Sequence, residues 1–564
     1  MAASAQRPNV LVILTDDQGF GDCSCHGNPV LQTPHMDALA VEGVSFDQFH
    51  VTPMCAPTRG AFLSGVHPLR NMALSTTDGR HCLRPDLPCL PQAFADAGYR
   101  TALFGKWHQG RNWPNRPQDK GFHHLRGFYG FGTTGISCHW DCDYQDPWLV
   151  DETGREFQAT GFCTDVFFDE AMDWITADEA PFFGVIATNA PHFPFWAPQE
   201  LADRFRHTDN PEFFGMMANL DDNLGRIEAF LAERGLREDT IVLFFSDNGP
   251  VGGASTFTAG LRGNKGTPWE GGHRVPLWMR WPRGGIIGGR LIEGLCVVED
   301  LFPTLLGLCA VPRPETARFD GIDLSDVLRA QEPVPDRQLV VQIDRGRLDP
   351  KTACIMRRHW RLLWCDSLYD VERDPGQEHN VVRQHPGAFT DLWCDYQQWY
   401  GERVQAAEER LPEHIGHPAQ DLVILDSSEA LAGTDGQPGV RSGVAGRRDG
   451  GQGPWSVEAH RSGRYEILLR RWPRESGLAL TAGCPPFQTR CSGPALPAGV
   501  AFPIAQAVLA VDGYPRTAAI GADSTGIRFE IDLTAGRHEI CGNFHDADGH
   551  QLCPAYYAEI RYCA

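Results

Sequence analysis

Four short, almost wholly apolar segments divide the first half of the chain. They occupy residues 9–14, 101–104, 182–187 and 241–245 and are rich in Val, Ile, Leu and Phe. Continuous runs of this kind are typical of strands buried on both faces of a parallel sheet. Between the last two runs, apolar residues recur at helical spacing over residues 213–231. Strand, helix and strand in this order form a βαβ unit, so the sequence predicts an α/β domain with a central, mostly parallel sheet and flanking helices.

Polar side chains follow each apolar run at the point where the predicted strand ends. They are Asp16 and Asp17, Lys106 and His108, Asn189 and His192, and Asp247 and Asn248. In open α/β sheets the ligand crevice lies outside the carboxyl ends of the strands, so we expect these groups to meet at one edge. The Asp and Asn side chains offer hard oxygen ligands, which suit Ca²⁺ or Mg²⁺ better than a soft metal. Either pair alone is more typical of a turn or a cap, and only their joint occurrence favours a metal site.

The remainder of the 564-residue chain has a different pattern. A single core stops growing at about 250–300 residues, so more than one domain is expected. Beyond a core that ends at about residue 310, the pattern predicts a small α+β subdomain over residues 311–414, with a packing helix over 393–410. Alternation of apolar and polar residues then predicts a C-terminal β-sandwich over residues 415–564. The Gly-, Asp- and Arg-rich segment 433–453 predicts an exposed loop.

Composition and charge exclude several classes of function. The formal net charge is −22 at pH 7, which argues against nucleic-acid or anionic-membrane partners because basic surfaces bind those. The first eight residues lack the apolar core of a secretory signal, which indicates a cytoplasmic protein as encoded, or a periplasmic or secreted one if the sequence is a trimmed mature form. The 18 cysteines are well below the roughly 8–10% typical of a disulfide scaffold.

One short motif identifies a chemistry. Cys55-Ala56-Pro57-Thr58-Arg59 resembles the sulfatase signature Cys-x-Pro-x-Arg, whose cysteine is oxidised after translation to formylglycine. Other segments resemble family elements in the family's order and spacing: residues 9–17, 105–108, 191–194, 246–249, 263–265, 270–272 and 368–375. The resemblance covers about residues 7–410. It implies an alkaline-phosphatase-like catalytic domain over residues 7–414, whereas the accessory β-sandwich of residues 415–564 has none of these motifs.

The resemblance implies a catalytic role for six residues. Cys55, as formylglycine (3-oxoalanine), would form a hydrate whose oxygen attacks the sulfur of a sulfate ester. Pro57 and Thr58 can open a helix, which would place residue 55 at a positive helix end. Arg59, Lys106 and Lys265 would bind the sulfate group and the hydrate. His108 would act as the general base. His192 would act as an acid or hydrogen-bond donor to the leaving oxygen.

The resemblance also implies a cofactor and partners. One divalent metal, Ca²⁺ in preference to Mg²⁺, would be bound by Asp16, Asp17, Asp247 and Asn248 together with the modified Cys55. The substrate would be a sulfated carbohydrate or an aryl sulfate, and a formylglycine-generating maturation enzyme would be needed. The substrate's identity and the oligomeric state stay open.

Several alternatives stay open at this point. A phosphodiester or phosphonate monoester hydrolase of the same superfamily can also use formylglycine, and an unmodified chain would be a glycan-binding scaffold. A thiolate hydrolase would need a His with an Asn or Asp partner at Cys55 but no carboxylate cluster. The loop over residues 127–144 is a candidate pocket lining, although it is equally typical of an aromatic loop packed on the rim. Ser137 in this loop matches the family too poorly to be assigned to sulfate binding.

Overall fold

The computed structural model describes residues 7–344, 348–431 and 453–563. Its largest element is a mixed sheet of ten strands. These strands are β1 (Asn9–Thr15), β2 (Val44–His50), β3 (Arg100–Lys106), β4 (His124–Phe128), β5 (Trp148–Asp151), β6 (Glu156–Gln158), β7 (Phe182–Ala187), β8 (Thr240–Ser246), β9 (Leu277–Arg280) and β10 (Arg290–Val297).

The centre of this sheet is parallel, as predicted. Along the sheet the strands follow the order β10-β2-β9-β8-β1-β7-β3-β4-β5-β6, and β8, β1, β7, β3 and β4 run in one direction. Antiparallel pairs involving β9, β5 and β6 make the sheet mixed. In β1, Val10, Val12 and Leu14 belong to the core on one face of the sheet. Leu11 and Ile13 belong to the core on the other face, which explains why the run is apolar at every position.

Helices cover both faces of the sheet or connect its strands. Within the described ranges they are α1 (Pro34–Glu42), α2 (Cys55–Ser64), α3 (Pro68–Asn71), α4 (Leu90–Asp96), α5 (Cys163–Thr176), α6 (Gln199–Asp203), α7 (Pro211–Glu233), α8 (Glu270–His273), α9 (Leu301–Cys309), α10 (Ser325–Ala330) and α11 (Pro386–Glu408). The predicted helix over residues 213–231 is α7, whose buried stripe includes Phe213, Leu220 and Ile227. None of these helices is both long and apolar enough to cross a membrane.

A small antiparallel sheet follows the main one. Its strands are β11 (Gln338–Gln342), β12 (Ala353–Arg357), β13 (Trp360–Leu363) and β14 (Ser367–Asp370), and Leu392 and Tyr396 of α11 pack against it. The predicted packing helix is present but begins earlier than residue 393, at Pro386. Proline suits the first turn of a helix because its missing N–H would have no partner there.

Two further sheets form the C-terminal part. One contains β15 (Glu413–Ile415), β17 (Trp455–Ala459), β19 (Gln506–Val511), β20 (Tyr514–Ala519), β22 (Gly536–His545) and β23 (Gln551–Pro554). The other contains β16 (Leu422–Asp426), β18 (Gly463–Arg470), β21 (Ile527–Leu533) and β24 (Tyr557–Tyr562). Apolar residues of both sheets, such as Trp455, Ile467 and Leu509, belong to one buried cluster, as expected for a sandwich.

The boundary between residues 414 and 415 stays a proposal. It falls within β15, which pairs with β17 of the C-terminal part. The predicted loop over residues 433–453 lies almost wholly outside the described residues.

Candidate active site

Two neighbouring strand ends bring four oxygen-bearing side chains together. Strands β1 and β8 end side by side, with Thr15 opposite Ser246, so Asp16 and Asp17 lie next to Asp247 and Asn248. The Asn248 amide donates to Asp17 Oδ1 over 2.7 Å, and the backbone N–H of Asp17 donates to Asp247 Oδ1 over 3.3 Å. All four side chains are buried. The structure therefore joins the two pairs that the sequence separates by some 230 positions.

Three cations balance the three carboxylates of this cluster. Lys106 Nζ lies 2.6 Å from Asp16 Oδ2, Lys265 Nζ lies 2.5 Å from Asp17 Oδ1, and Arg59 Nη2 lies 2.8 Å from Asp247 Oδ2. Burial alone would raise the pKa of Asp17, but the charge of Lys265 lowers it to about 2. The three ion pairs thus leave the cluster close to neutral while placing three cations within it.

Cys55 is the first residue of α2, as its position before Pro57 and Thr58 predicts. Its side chain is buried, and its Sγ lies 3.1 Å from Lys265 Nζ. Burial raises the pKa of the thiol to about 12. An unmodified Cys55 would therefore be a poor nucleophile at neutral pH, because the thiolate is the reactive form.

The two candidate histidines have different environments. His192 Nε2 lies 3.8 Å from Asp17 Oδ2, while its Nδ1 lies 2.5 Å from the carbonyl oxygen of Phe193. Tyr144 Oη donates to the His192 carbonyl over 3.0 Å and fixes that backbone. Burial lowers the pKa of His192 to about 3, so its ring is neutral at pH 7 before substrate binds.

The hydrogen bonding of His108 leaves one ring nitrogen available to accept a proton. Its Nε2 lies 3.1 Å from the carbonyl oxygen of Thr76. Since a carbonyl only accepts, Nε2 bears the hydrogen and Nδ1 has the free lone pair. Among the described residues, Nδ1 is buried without a hydrogen-bond partner. Burial also lowers the pKa of His108 well below its ordinary value, which keeps the ring neutral.

The oxygen cluster fits a divalent metal ion. Asp16 Oδ1 and Asn248 Oδ1 are buried and have no hydrogen-bond partner within the described ranges. One donor atom from each of Asp16, Asp17, Cys55 and His192 falls within 4.8 Å of the others. Burial, with Asp16 nearby, raises the pKa of Asp247 to about 6, and a cation beside these carboxylates would lower it again. A hard cation such as Ca²⁺ or Mg²⁺ matches this donor set.

A cleft of about 480 Å³ opens onto the site. Cys55, His192 and Lys265 line it together with Phe131 and residues 75–78. Residues 75–78 cannot be recognised as part of a site from the sequence, because Asp78 followed by glycine is a common turn pair.

The predicted pocket loop over residues 127–144 has two parts. Phe131 lines the cleft, whereas Trp140 packs edge-on against Trp472 of the C-terminal part, with ring centroids 5.3 Å apart. Ser137 Oγ donates to Asp426 over 2.6 Å. Phe131 thus agrees with the expectation of a pocket lining, whereas Trp140 is buried against the C-terminal part and lies neither in the cleft nor on its rim.

Comparison with known proteins identifies relatives over most of the chain. A sequence model of the family described as Sulfatase matches residues 8–311. N-acetylgalactosamine-6-sulfatase of Canis lupus familiaris is 32% identical over 426 residues, which cover 68% of this chain and 78% of that protein. Arylsulfatase A of Homo sapiens is 29% identical over 456 residues, covering 69% and 86% of the two chains.

Solved structures share the fold. Ps i-CgsB in complex with k-i-k-neocarrahexaose superposes with a TM-score of 0.65 at 25% identity, covering 71% of this chain and 94% of that one. The phosphonate monoester hydrolase of Agrobacterium radiobacter has a TM-score of 0.51 at 21% identity, covering 71% and 96%. Since the family match spans more than half of the chain and includes the Cys55 motif, the protein belongs to the sulfatase family and is a sulfuric ester hydrolase of the arylsulfatase type.

Proposed function

We propose that the protein hydrolyses the sulfate ester of a sulfated carbohydrate or aryl sulfate through residue 55, after a maturation enzyme oxidises Cys55 to formylglycine. The supporting observation is the position of Cys55. It lies at a helix start, 3.1 Å from Lys265, in the same buried cluster as the carboxylates of Asp16 and Asp17. As its hydrate, the modified residue would supply one hydroxyl that attacks sulfur and a second that loses its proton when sulfate leaves.

The surrounding cations bind and orient the sulfate group. Arg59, Lys106 and Lys265 lie at the cluster within contact of its carboxylates. Their charges offset the negative charge of the sulfate group and of the attacking hydrate as the ester bond breaks.

The two histidines carry out the proton transfers. His108 Nδ1, which has a free lone pair, takes the proton of the second hydroxyl. His192 has its hydrogen on Nδ1, against the Phe193 carbonyl. It therefore needs a second proton on Nε2 before it can donate to the leaving oxygen. Burial lowers the pKa of His192, and the carboxylate of Asp17 beside Nε2 offsets only part of that effect.

Asp16, Asp17, Asp247 and Asn248, with residue 55, would hold one divalent ion. When bound, the ion would contribute positive charge beside the nucleophile and lower the pKa of its hydroxyl. Ca²⁺ is the ion that we propose, because the donors are all oxygens and carboxylates predominate.

Relatives support a sugar as the substrate. The sequence relatives include N-acetylgalactosamine-6-sulfatase, and the superposed Ps i-CgsB structure contains k-i-k-neocarrahexaose. The cleft agrees, because it combines hydroxyl and carboxylate side chains with the Phe131 ring, a mixture of polar groups and an apolar surface that suits a sugar.

The experiment is peptide mass spectrometry across Cys55 on protein co-expressed with a formylglycine-generating enzyme, together with measurement of released sulfate on the same sample. We expect an oxidised residue 55 and sulfate release that disappears in Cys55→Ala. A thiol that persists beside a competent maturation enzyme would contradict the proposal. Turnover of a phosphodiester or a phosphonate monoester without sulfate release would instead favour the alternative hydrolase activity.

A further inference from the structure

Residues 75–78 form one wall of the cleft. It lines the same cleft as Cys55, His192 and Lys265 and presents three hydroxyl side chains and one carboxylate, that of Asp78. Asp78 is 8% exposed, so its side chain is largely withdrawn from bulk solvent but borders the cleft. Neither the metal cluster nor the proposed chemistry uses it.

The wall has a defined conformation. The backbone N–H groups of Leu74 and Ser75 both donate to the Arg80 carbonyl, over 2.7 and 3.0 Å, and close the loop at its base. At its tip, Asp78 and Gly79 have φ values of 68° and 62°. Aspartate and glycine are among the residues that adopt this left-handed region most readily, which accounts for the pair at this position.

The C-terminal half of the chain braces the tip of this loop. Gly79 N–H donates to the Ser428 carbonyl over 2.9 Å, and Arg410 Nη1 donates to the Asp78 carbonyl over 2.8 Å. A Cβ at Gly79 would come within 2.7 Å of the Glu429 carbonyl oxygen, so the two segments are in close contact. The backbone that carries the Asp78 side chain is therefore held in place before any ligand arrives, which reduces the entropy cost of binding.

An aromatic ring lies beside the reacting groups. The ring of Phe131 lies 6.1 Å from that of His108 and 6.3 Å from that of His192, between centroids. An apolar face thus adjoins the groups assigned to proton transfer, while Asp78 and the three hydroxyl groups offer polar contacts in the same cleft. A sulfated ligand bound in the cleft would contact cations through its sulfate group and hydrogen-bond acceptors through the rest of the molecule.

We propose that Asp78 determines specificity by binding hydrogen-bond donors, hydroxyl or ammonium, on the sugar that bears the sulfate ester, and by disfavouring sugars with a carboxylate. This inference rests on the proposed sulfatase function and adds the class of sugar. A buried carboxylate accepts hydrogen bonds strongly and repels a second negative charge, whereas neutral hydroxyl groups alone would not discriminate in this way.

The test compares Asp78→Asn and Asp78→Gly with the wild type, since both residues tolerate a positive φ. The substrates are isomeric monosulfates of galactose, glucosamine and glucuronic acid, with p-nitrophenyl sulfate as a substrate whose leaving group has no donor. Asp86→Asn is the matched control, because Asp86 is exposed and pairs with Arg84 at the surface.

We expect wild-type kcat/KM to be highest for galactose or glucosamine sulfates. Asp78→Gly should lower it about tenfold or more on these sugars and leave p-nitrophenyl sulfate within about twofold. In Asp78→Asn an amide oxygen still accepts from a hydroxyl, so a large loss there, confined to the glucosamine esters, identifies an ammonium as the donor. A small loss in Asp78→Asn identifies a hydroxyl.

Two results would overturn the inference while leaving the proposed function intact. One is a wild type that prefers glucuronic acid sulfates, and the other is an equal loss on sugar and aryl substrates, which indicates that Asp78 only supports the loop. A wild type with oxidised Cys55 that releases sulfate from neither sugar nor aryl ester would refute the proposed function itself. Unfolding midpoints close to that of the wild type would show that the variants fold.

Discussion

Single side chains at the sheet edge show how the site balances its charge. Three carboxylates, those of Asp16, Asp17 and Asp247, face the cations of Arg59, Lys106 and Lys265. Two buried oxygens, Asp16 Oδ1 and Asn248 Oδ1, make no hydrogen bond among the described residues. Unpaired buried oxygens are costly, so a divalent ion that contacts them should stabilise the folded state.

We therefore expect Ca²⁺ to raise the unfolding midpoint of chelator-treated protein. A ligand that binds only the folded state at one hundred times its Kd contributes about 2.7 kcal/mol. Asp16→Asn removes one charge from the donor set with little change of shape and should abolish most of this shift. Thermal unfolding with and without Ca²⁺ measures both effects, with Asp86→Asn as the control. A wild-type midpoint that does not respond to Ca²⁺ or Mg²⁺ would refute the assigned donor set.

At the scale of elements, one buried ion pair joins the small sheet to the main body. Arg361 of β13 donates from Nε to Glu270 of α8 over 2.5 Å, and both side chains are fully buried. Arg361 also donates from Nη2 to Gln48 of β2. Burial by itself would raise the pKa of Glu270, but the charge of Arg361 lowers it far below the ordinary value of 4.5.

This pair predicts a specific pH dependence. Because the folded-state pKa of Glu270 is depressed, the unfolded chain binds the proton first as the pH falls. The contribution of the pair is therefore present above pH 4.5 and is lost as the pH drops below that value. Glu270→Gln should lower the free energy of unfolding by about 3–5 kcal/mol at pH 7. The variant should also lose less stability than the wild type on acidification. Urea unfolding at pH 7 and pH 4 measures both.

Glu372→Gln is the matched control, since the Glu372 side chain is 77% exposed. Its free energy of unfolding should equal that of the wild type at both pH values. If Glu270→Gln and the wild type lose the same stability on acidification, other carboxylates determine the acid sensitivity of the protein.

At the scale of the whole molecule, the C-terminal sheets are part of the structure that supports the cleft. Ile136 and Trp140 of the main body belong to the apolar cluster of these sheets. Asp143 accepts hydrogen bonds from Thr489 Oγ1 and from the backbone N–H of Arg490, over 2.7 and 2.8 Å. The neighbouring Tyr144 then holds the His192 carbonyl. Contacts that begin in the C-terminal part thus reach a catalytic candidate through a single loop.

Trp472→Ala tests this dependence. Trp472 is 1% exposed and packs on Trp140, so its removal should cost about 3–5 kcal/mol. It should also lower sulfatase activity, because the loop that carries Phe131 and Tyr144 loses its support. Urea unfolding and steady-state kinetics provide the measurements. Tyr514→Ala, at a residue 79% exposed, should change stability by no more than about 0.5 kcal/mol. A separate early transition with unchanged activity would show that the two parts are independent.

The sequence by itself determined the central strands and the long helix α7, and it supplied the candidates for the reactive groups. Apolar runs, helical spacing and the Cys55 motif are local properties, so they can be recognised without knowing which distant segments meet. Parallel strands have their carboxyl ends at one edge of the sheet, and on this basis Asp16 and Asp247 were correctly predicted to be neighbours. The start of α11 was missed because its first turn, from Pro386, has little apolar periodicity to mark it.

Only the tertiary structure decided which surfaces complete the site. Asp78 borders the cleft because the segments around Arg410 and Ser428, more than 300 positions away, hold its loop in place. Trp140 is an aromatic residue of the kind that often lines a pocket, but it is buried against Trp472. The physical reason is that such contacts depend on how separately formed sheets pack, and packing depends on the shapes of two surfaces at once. Neither surface is specified by the residues next to it in the chain.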